Sequence, residues 1–538
     1  MKQRKKWYLG ISIAVFILLL YLLFPLSSRK FAIANDEEKE KSKLRYLEEC
    51  KKHSAVLSKK PNVILITADD LGKTDISLYG SPYVSTPNID SIGNEGVIFS
   101  EAYCSSPICS PSRAGFLTGR YQQRFGFEFQ PRDLYPRNRL EKIIYKYIID
   151  TGEMYITKAK RYPRKKDIAQ QGIPGSEITL GEILSGTGYR TASIGKWHLG
   201  YADPFVPNAR GFEYQYGFYE AFSLYAPVDD PDIVNYRHDY FANKHIWNQE
   251  RKGPCAVRRN NEVIEEEEYL TFRIAEEVND RIDEWEDEPF FIHASFSAPH
   301  TPFQVPKEYY NRFSHVKDKN KRVYYGMIAA LDDAVGSILS VIEKRGLEEN
   351  TIIFFASDNG GATYTGATDN FPLKGGKFTN FEGGINIPFM VRWPGTLKPG
   401  TLFDEPVILL DVFTTSIAAA GLPLTEERIL DGVDLLPFIT GEAAGSPHDA
   451  LFWRSGFNKA VRKGDWKLIL DTRENESILY NVRDDKLEKR DVSAQNPEKK
   501  EELLMELESW EKELMDPLWP HLMDHKFVID GEEYFFAL

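Results

Sequence analysis

Short apolar runs that stop at polar side chains are the clearest pattern along this chain. Two of these runs precede residues with carboxylate or amide oxygens: 63–66 before Asp69 and Asp70, and 351–357 before Asp358 and Asn359. Continuous apolar runs of this length are typical of parallel strands that are buried on both faces. Because α/β sheets bind ligands at the carboxyl ends of such strands, we expect these four side chains to share one edge of a sheet.

Two further strand-like runs lead to lysine and histidine. The run 190–194 precedes Lys196 and His198, and a later run that contains His293 precedes His300. A surface loop around a buried tryptophan is the alternative for the Lys-Trp-His segment, but its flanking glycines favour a functional segment. His293 lies inside its run and is interpreted as a core residue.

The first 34 residues predict export. Basic residues at 2–6 precede an apolar stretch from Trp7 to Leu26, and Ala32-Ile33-Ala34 is an A-x-A cleavage pattern. Roughly 20 apolar residues also suffice to span a bilayer. Arg29 and Lys30 disfavour a clean signal-peptide end. Residues 1–34 are therefore a signal peptide or an uncleaved membrane anchor, and we expect a periplasmic or secreted protein.

Length and pattern divide the rest of the chain. With 538 residues the chain exceeds what one core usually holds, so we predict a large domain at 60–440 and a smaller C-terminal subdomain at 441–538. The charged segment 35–59 predicts a solvated helical spacer. From residue 451 onward, short alternating runs predict an antiparallel meander, and the run 497–514 predicts a helix.

Composition argues against two classes of protein. The net charge of -13 argues against a nucleic-acid partner. The cysteines are too few for a disulfide scaffold: Cys50, Cys104, Cys109 and Cys255.

The segment from Cys109 to Arg120 has the spacing C-x-P-S-R-x-x-x-L-T-G-R. For Cys109 alone, the alternative is a buried cysteine before a Pro-Ser helix cap. The full spacing resembles the modification sequence of the formylglycine-dependent sulfatases. This resemblance implies an α/β fold like that of alkaline phosphatase, with a mixed sheet flanked by helices and a smaller C-terminal antiparallel β subdomain plus helix. It also implies that a formylglycine-generating or anaerobic sulfatase-maturating enzyme oxidises Cys109 to formylglycine (3-oxoalanine).

The aldehyde would solve a chemical problem that a serine cannot. A serine that took sulfate from an ester would remain as a stable sulfate ester. One hydroxyl of the aldehyde hydrate can instead attack sulfur, and the other can lose its proton and expel sulfate. Arg113, four residues after Cys109, is expected to hold the developing negative charge.

The resemblance also implies a metal site. Its ligands would be Asp69, Asp70, Asp358, Asn359 and the oxygen of the modified Cys109. Oxygen ligands favour a hard cation over zinc. The resemblance implies Ca²⁺, with Mg²⁺ as the alternative, and it makes Asp358 the expected base that activates the aldehyde hydrate.

Lysines and histidines complete the implied site. Lys196 is expected to contact sulfate and the hydrate, and His198 to take the proton that lets sulfate leave. His300 is expected to protonate or hydrogen-bond the leaving oxygen. Lys377 aligns with a lysine that bridges sulfate and the leaving oxygen, whereas Lys374 faces either a sugar or solvent.

The segment 132–166 is basic, with eleven Lys or Arg against four Asp or Glu. It is either a solvated charged hairpin or a set of subsites for an anionic polysaccharide. Five tyrosines favour the second interpretation, because sugars can stack on aromatic faces: Tyr135, Tyr145, Tyr147, Tyr155 and Tyr162.

The resemblance implies a sulfuric ester hydrolase, and the N-terminal pattern predicts that it is exported, with a catalytic domain at 60–440. The expected substrate is a sulfated oligo- or polysaccharide, first an algal glycan such as ulvan or carrageenan and second a glycosaminoglycan. A phosphonate or phosphate monoester hydrolase and a silent sugar-binding relative are the alternatives. Membrane contact is expected only through an uncleaved N-terminal segment.

Overall fold

A mixed β-sheet with helices on both faces forms the centre of the protein. In the computed structural model the described residues are 2–31, 36–57, 60–132, 135–149, 153–237 and 243–538. The predicted cleavage pattern Ala32-Ile33-Ala34 lies outside the described residues.

Helices occur along the whole described chain. They are α1 Lys2–Leu23, α2 Glu37–Ser54, α3 Pro87–Asn94, α4 Cys109–Thr118, α5 Arg139–Ile149, α6 Lys165–Ile168, α7 Leu180–Gly186, α8 Asn243–Gln249, α9 Leu270–Glu284, α10 Lys307–Arg312, α11 Lys319–Lys344, α12 Glu382–Ile385, α13 Asp411–Ala419, α14 Leu436–Ile439 and α15 Pro497–Glu511.

Strands lie between and after these helices. They are β1 Ser27–Ser28, β2 Asn62–Asp69, β3 Val97–Phe99, β4 Ala102–Tyr103, β5 Met154–Ile156, β6 Tyr162–Pro163, β7 Arg190–Lys196, β8 Tyr214–Phe218, β9 Ile233–Tyr236, β10 Arg258–Arg259, β11 Glu262–Val263, β12 Phe290–Pro299, β13 Phe303–Pro306, β14 Thr351–Ser357, β15 Phe389–Arg392, β16 Thr401–Phe403, β17 Val407–Ile408, β18 Leu451–Ser455, β19 Asn458–Lys463, β20 Trp466–Asp471, β21 Glu476–Asn481, β22 Met523–Ile529 and β23 Glu532–Ala537.

Parallel pairing aligns the carboxyl ends of the central strands. The order β8-β7-β12-β2-β14 is parallel throughout. Within the described residues the sheet continues through β10 and β11 on one side and through β15, β3 and β16 on the other, with antiparallel pairs on both sides. Asn62 pairs with Thr351 and Ala68 pairs with Ser357, so the carboxyl ends of β2 and β14 meet at one edge. The predicted α/β fold class is confirmed.

Alternate side chains of β2 enter two separate cores. Val63 and Leu65 pack in the core that contains α4, α7 and α13, whereas Ile64 and Ile66 pack in the core that contains α9 and α11. Successive side chains of a strand point to opposite faces, so a strand covered on both sides is a nearly continuous apolar run. Helix α11 is long and apolar enough to cross a membrane. However, 67% of the residues in its most apolar part are buried inside the protein, so α11 is a core helix.

The C-terminal region contains the predicted meander and helix. Strands β18 to β21 pair antiparallel, and α15 ends at Glu511 rather than at Leu514. The hairpin β22–β23 is an addition to the predicted elements. Its turn residues Asp530 and Gly531 have φ of 54° and 86°, as a two-residue hairpin turn of type I′ requires. Strand β22 also pairs with β5 of the basic segment.

The expectation that 35–59 is solvated is wrong for one side of α2. Lys43, Tyr46 and Cys50 are spaced by three and four residues, so they share one face of the helix, and all three are buried. Lys43 Nζ lies 2.7 Å from Glu182 Oε1 in α7. This face of α2 therefore packs against the large domain.

Part of the interpretation of the basic segment 132–166 is also wrong. Tyr135 and Tyr162 are buried, with ring centroids 5.8 Å apart, so neither presents a face to a sugar. Large aromatic surfaces favour burial, and this pair forms part of the core that holds the segment on the protein. Tyr147 on α5 is exposed.

Candidate active site

The predicted edge of the sheet carries a cluster of buried oxygens. Asp69 ends β2 and Asp70 follows it, while Asp358 and Asn359 follow β14. Asn359 Nδ2 donates to Asp70 Oδ1 at 2.8 Å, and Asp70 N–H donates to Asp358 Oδ1 at 3.3 Å. Asp70 has a φ of 60°, a left-handed conformation that turns the chain directly after the strand. The structure thus brings together the four residues predicted from the two apolar runs.

Cys109 is the first residue of α4 and faces this cluster. Its Sγ lies 3.5 Å from Asp70 Oδ1. The N-terminus of a helix carries partial positive charge, so it favours an anion at this point. The later part of the motif ends the helix: Gly119 has a φ of 67°, and its N–H donates to Gly115 O at 2.9 Å.

Arg113 contacts residues of β7 and β12 and the residue that follows β14. Its Nε donates to Asp358 Oδ2 at 2.7 Å, and its Nη1 donates to Ser295 Oγ at 2.6 Å and to Lys196 O at 3.1 Å. Ser295 was not among the predicted residues, and no sequence motif marks it. Arg113 Nη2 is buried without a hydrogen-bond partner among the described residues and lies 3.8 Å from Asp69 Oδ1. Arg113 therefore positions Asp358 and keeps one donor for a ligand.

Lys196 and Lys377 place two cations against the carboxylates. Lys196 Nζ lies 2.6 Å from Asp69 Oδ2, and Lys377 Nζ lies 2.8 Å from Asp70 Oδ2. These side chains are buried, where charges interact more strongly than in water. Burial acts to raise the pKa of Asp70, but Lys377, His300 and Lys196 hold that pKa below its usual value.

Two histidines complete the cluster. His300 Nε2 lies 3.6 Å from Asp70 Oδ2. His198 is buried with a φ of 60°, and neither of its ring nitrogens has a hydrogen-bond partner among the described residues. Burial lowers the pKa of both rings, to about 3 for His300. His293 lies in the core as interpreted, with Nε2 3.1 Å from Thr67 Oγ1.

Lys374 is the predicted site residue that does not join the cluster. Its Nζ donates to Glu488 O at 3.4 Å and lies 3.6 Å from Asp530 Oδ2. Both partners belong to the C-terminal region. Lys374 therefore ties the loop that carries Lys377 to that region, and this position supports neither a sugar contact nor a solvated side chain.

Aromatic side chains stand beside Lys377. The Phe378 ring lies 5.3 Å from Tyr364, 5.9 Å from His525 and 6.3 Å from Phe527, measured between centroids. Lys377 Nζ is 5.3 Å from the Phe378 centroid. His525 and Phe527 belong to β22, so the unpredicted hairpin contributes to the site. Its alternating apolar residues and Asp-Gly turn are the sequence signal that could have revealed it.

The oxygens of the cluster fit a hard divalent cation. Asp69 Oδ1 and Asn359 Oδ1 are buried and have no hydrogen-bond partner among the described residues. Ligand atoms of Asp69, Asp70, Cys109 and His300 lie within 4.8 Å of one another. Buried polar atoms without partners are unfavourable, and oxygen atoms of this kind are the ligands that Ca²⁺ and Mg²⁺ prefer.

Gly195 allows β7 to approach β12 directly before Lys196. Its φ is 114°, and a Cβ at this position would lie 1.8 Å from Ser295 O. We expect Gly195→Ala to lower the free energy of unfolding by about 3 kcal/mol, because backbone strain and overpacking each cost about 1–3 kcal/mol. Denaturant unfolding measures this change.

Gly186→Ala is the matched control, because a Cβ at Gly186 would meet nothing within 4 Å. This substitution at the end of α7 is expected to change stability by less than about 1 kcal/mol. Equal stabilities of the two variants would contradict the proposed close approach.

Comparisons with known proteins identify a family and similar folds. The family described as Sulfatase matches residues 61–422. N-acetylgalactosamine-6-sulfatase of Rattus norvegicus is 32% identical over 426 residues, which cover 77% of this chain and 72% of that protein. Steryl-sulfatase of Homo sapiens is 30% identical over 484 residues, which cover 78% and 76%. The solved structure of Ps i-CgsB in complex with k-i-k-neocarrahexaose has a TM-score of 0.72 at 30% identity, and the match covers 86% of this chain and 95% of that chain.

Proposed function

We propose that this chain, which belongs to the sulfatase family of sulfuric ester hydrolases, removes sulfate from a sulfated carbohydrate through a formylglycine formed from Cys109. The observation that carries the proposal is the buried cluster in which Cys109 faces Asp70 while Lys196 and Lys377 contact the two aspartates. Two cations and a helix N-terminus suit the negative charge of a sulfate group. A silent sugar-binding relative would have little need for the histidines that accompany them.

The names of similar proteins support a carbohydrate substrate. Ps i-CgsB is solved with a neocarrahexaose, and the rat relative is named an N-acetylgalactosamine-6-sulfatase. We therefore place a carrageenan-type algal glycan first, ahead of ulvan, and a glycosaminoglycan second.

The proposed cation would be Ca²⁺, with Mg²⁺ as the alternative. Asp69, Asp70, Asp358, Asn359 and the modified Cys109 would hold it, and the unpaired oxygens of Asp69 and Asn359 support this set. When bound, the ion would neutralise charge on the sulfate oxygens.

The proposed roles of the other residues follow from their positions. Asp358, oriented by Arg113, would accept a proton from the hydrate at position 109. Lys196 and Lys377 would hold the sulfate oxygens. His198, whose ring nitrogens are unpartnered in the described structure, would take the proton that lets sulfate leave. His300 would act at the leaving oxygen.

We further propose that the chain is exported and is matured by a formylglycine-generating or anaerobic sulfatase-maturating enzyme. The apolar α1 supports export, since a helix of this kind is found in signal sequences and in anchors. The catalytic domain would comprise 60–440 and the C-terminal subdomain 441–538.

Sulfate release from defined oligosaccharides tests the proposed function. The matured enzyme is incubated with carrageenan and glycosaminoglycan oligosaccharides, and inorganic sulfate is measured by ion chromatography. An aryl sulfate and an aryl phosphonate are assayed in parallel. We expect the largest kcat/KM on a sulfated oligosaccharide. Faster turnover of the phosphonate would favour the competing hydrolase class instead.

His300→Ala is expected to slow sugar sulfates more than an activated aryl sulfate. A sugar alkoxide is a poor leaving group that needs a proton or a hydrogen bond as it departs, whereas a nitrophenolate leaves without either, so we expect a loss of about 10²–10⁴-fold in kcat for the sugar substrate only. His315→Ala, at an exposed histidine, is the control. Equal losses on both substrates would contradict the assigned role.

A further inference from the structure

Helix α5 carries an apolar face that points away from the protein. Four residues spaced by three and four positions form this face, with exposed fractions of 37%, 42%, 48% and 84%: Leu140, Ile143, Ile144 and Tyr147. The helix is held on the protein elsewhere, where Lys142 Nζ donates to Ala159 O at 2.6 Å. A surface helix normally turns its apolar stripe toward the core. The outward stripe of α5 therefore indicates an apolar partner.

The C-terminal end of α1 lies directly against α5. The Arg139 guanidinium lies 4.4 Å from the Tyr21 ring centroid, and its Nη1 donates to Tyr21 O at 3.3 Å. In the most apolar part of the span Arg4–Leu23 of α1, none of the described residues is buried in the protein. A helix long enough to cross a bilayer thus ends beside a second exposed apolar surface.

The residues that follow α1 are part of the fold. Leu26 is buried, its N–H donates to Arg137 O at 2.8 Å, and its oxygen accepts from Tyr162 N–H at 2.9 Å. Ser27 and Ser28 extend this contact by pairing in parallel with β6. Cleavage after Ala34 would remove this strand and its hydrogen bonds, so the packing favours an uncleaved segment.

Exposed cations lie in a segment next to α5, since Lys142 Nζ on that helix donates to Ala159 O. Lys158, Lys160 and Arg161 are exposed, in a segment with eleven Lys or Arg against four Asp or Glu. The whole chain has a net charge of -13, so this positive charge is local. Basic segments next to a spanning helix attract anionic phospholipid head groups.

We propose that residues 1–31 remain in the mature protein and that α5 lies in the head-group region of a bilayer containing anionic phospholipid, as a second attachment beside α1. The apolar face of α5 would enter the boundary of the acyl chains, and the cations at 158–161 would contact phosphate groups. Strand β5 follows α5 and pairs with β22, whose Phe527 contacts Phe378. This attachment would therefore fix the orientation of the active site relative to the membrane surface.

Depth-dependent quenching tests the proposal on the full chain. A fluorescent label is placed at Ile144→Cys, which is feasible because the native cysteines are buried. The protein is reconstituted in vesicles of phosphatidylcholine and phosphatidylglycerol that carry a spin label on the acyl chain. We expect a blue-shifted emission and strong quenching at this position.

Leu402→Cys is the matched control, because Leu402 is 58% exposed on the edge strand β16. We expect little quenching of a label at this site. Equal quenching at the two positions would overturn the proposal. A mature N-terminus at residue 35, found by sequencing the membrane-bound protein, would also overturn it.

A triple variant distinguishes between two partners for these cations, the bilayer and a sulfated polysaccharide. Lys158→Ala, Lys160→Ala and Arg161→Ala together are expected to reduce quenching at position 144 in anionic vesicles but not in pure phosphatidylcholine. A raised KM for a sulfated oligosaccharide in detergent, with unchanged quenching, would overturn the assignment and favour polysaccharide subsites. Aryl sulfate turnover is expected to stay unchanged and reports separately on the active site.

Discussion

Cys109→Ser is expected to reduce kcat for sulfate ester hydrolysis by about 10³-fold or more, while the variant still binds substrate. A serine lacks the second hydroxyl with which an aldehyde hydrate expels sulfate, so turnover stops after transfer. The lysines that would hold the sulfate group are unchanged in this variant. Steady-state kinetics give kcat, and calorimetric titration with a sulfated oligosaccharide gives binding.

Peptide mass spectrometry of the wild-type enzyme accompanies this measurement. After expression with a formylglycine-generating enzyme, the peptide that contains Cys109 should show the mass loss expected when CH₂SH becomes CHO. Cys255→Ala, at another buried cysteine, is the control and should retain full turnover. A fully active enzyme with an unmodified Cys109 would disprove the mechanism.

Asp69→Asn is expected to abolish both turnover and the response to Ca²⁺. In the wild-type protein, Ca²⁺ at 100 times its Kd should raise the free energy of unfolding by about 2.7 kcal/mol, because it binds only the folded state. Chelation should remove activity reversibly, and Ca²⁺ should restore it better than Zn²⁺, since the proposed ligands are oxygens. Thermal unfolding with and without Ca²⁺ gives a readout that does not depend on activity.

Asp332→Asn is the matched control for the metal prediction. Asp332 is also a buried carboxylate, but it accepts from Ile89 N–H at 2.8 Å at the start of α3. This variant should lose stability yet keep the Ca²⁺-dependent shift. An unchanged Ca²⁺ response in Asp69→Asn, or full activity after exhaustive chelation, would contradict the site.

The sheet edge could be predicted because its signals are local. A strand buried on both faces is a nearly continuous apolar run, so β2 and β14 are visible in the sequence together with the aspartates at their ends. The Cys109 motif lies within one helix and its cap, where spacing alone sets the geometry.

Other parts of the site depend on contacts between distant segments. Arg113 and Ser295 are 182 positions apart, and Lys374 and Glu488 are 114 apart. No local pattern marks such pairs, because they form only when the strands and loops have packed. For the same reason the burial of Tyr135 and the side of α2 that faces the protein could not be predicted.

The sequence by itself determined the fold class, the carboxylate edge, the modification motif and the apolar N-terminal helix. Only the tertiary structure decided which charges meet: it turned Lys374 toward the C-terminal region, brought the β22–β23 hairpin beside Lys377 and exposed the apolar face of α5. Stereochemistry and side-chain periodicity act over a few residues and can be read along the chain. Burial and charge pairing depend on which segments, distant in the sequence, come into contact and exclude water from between them. These contacts exist only when the whole chain has packed.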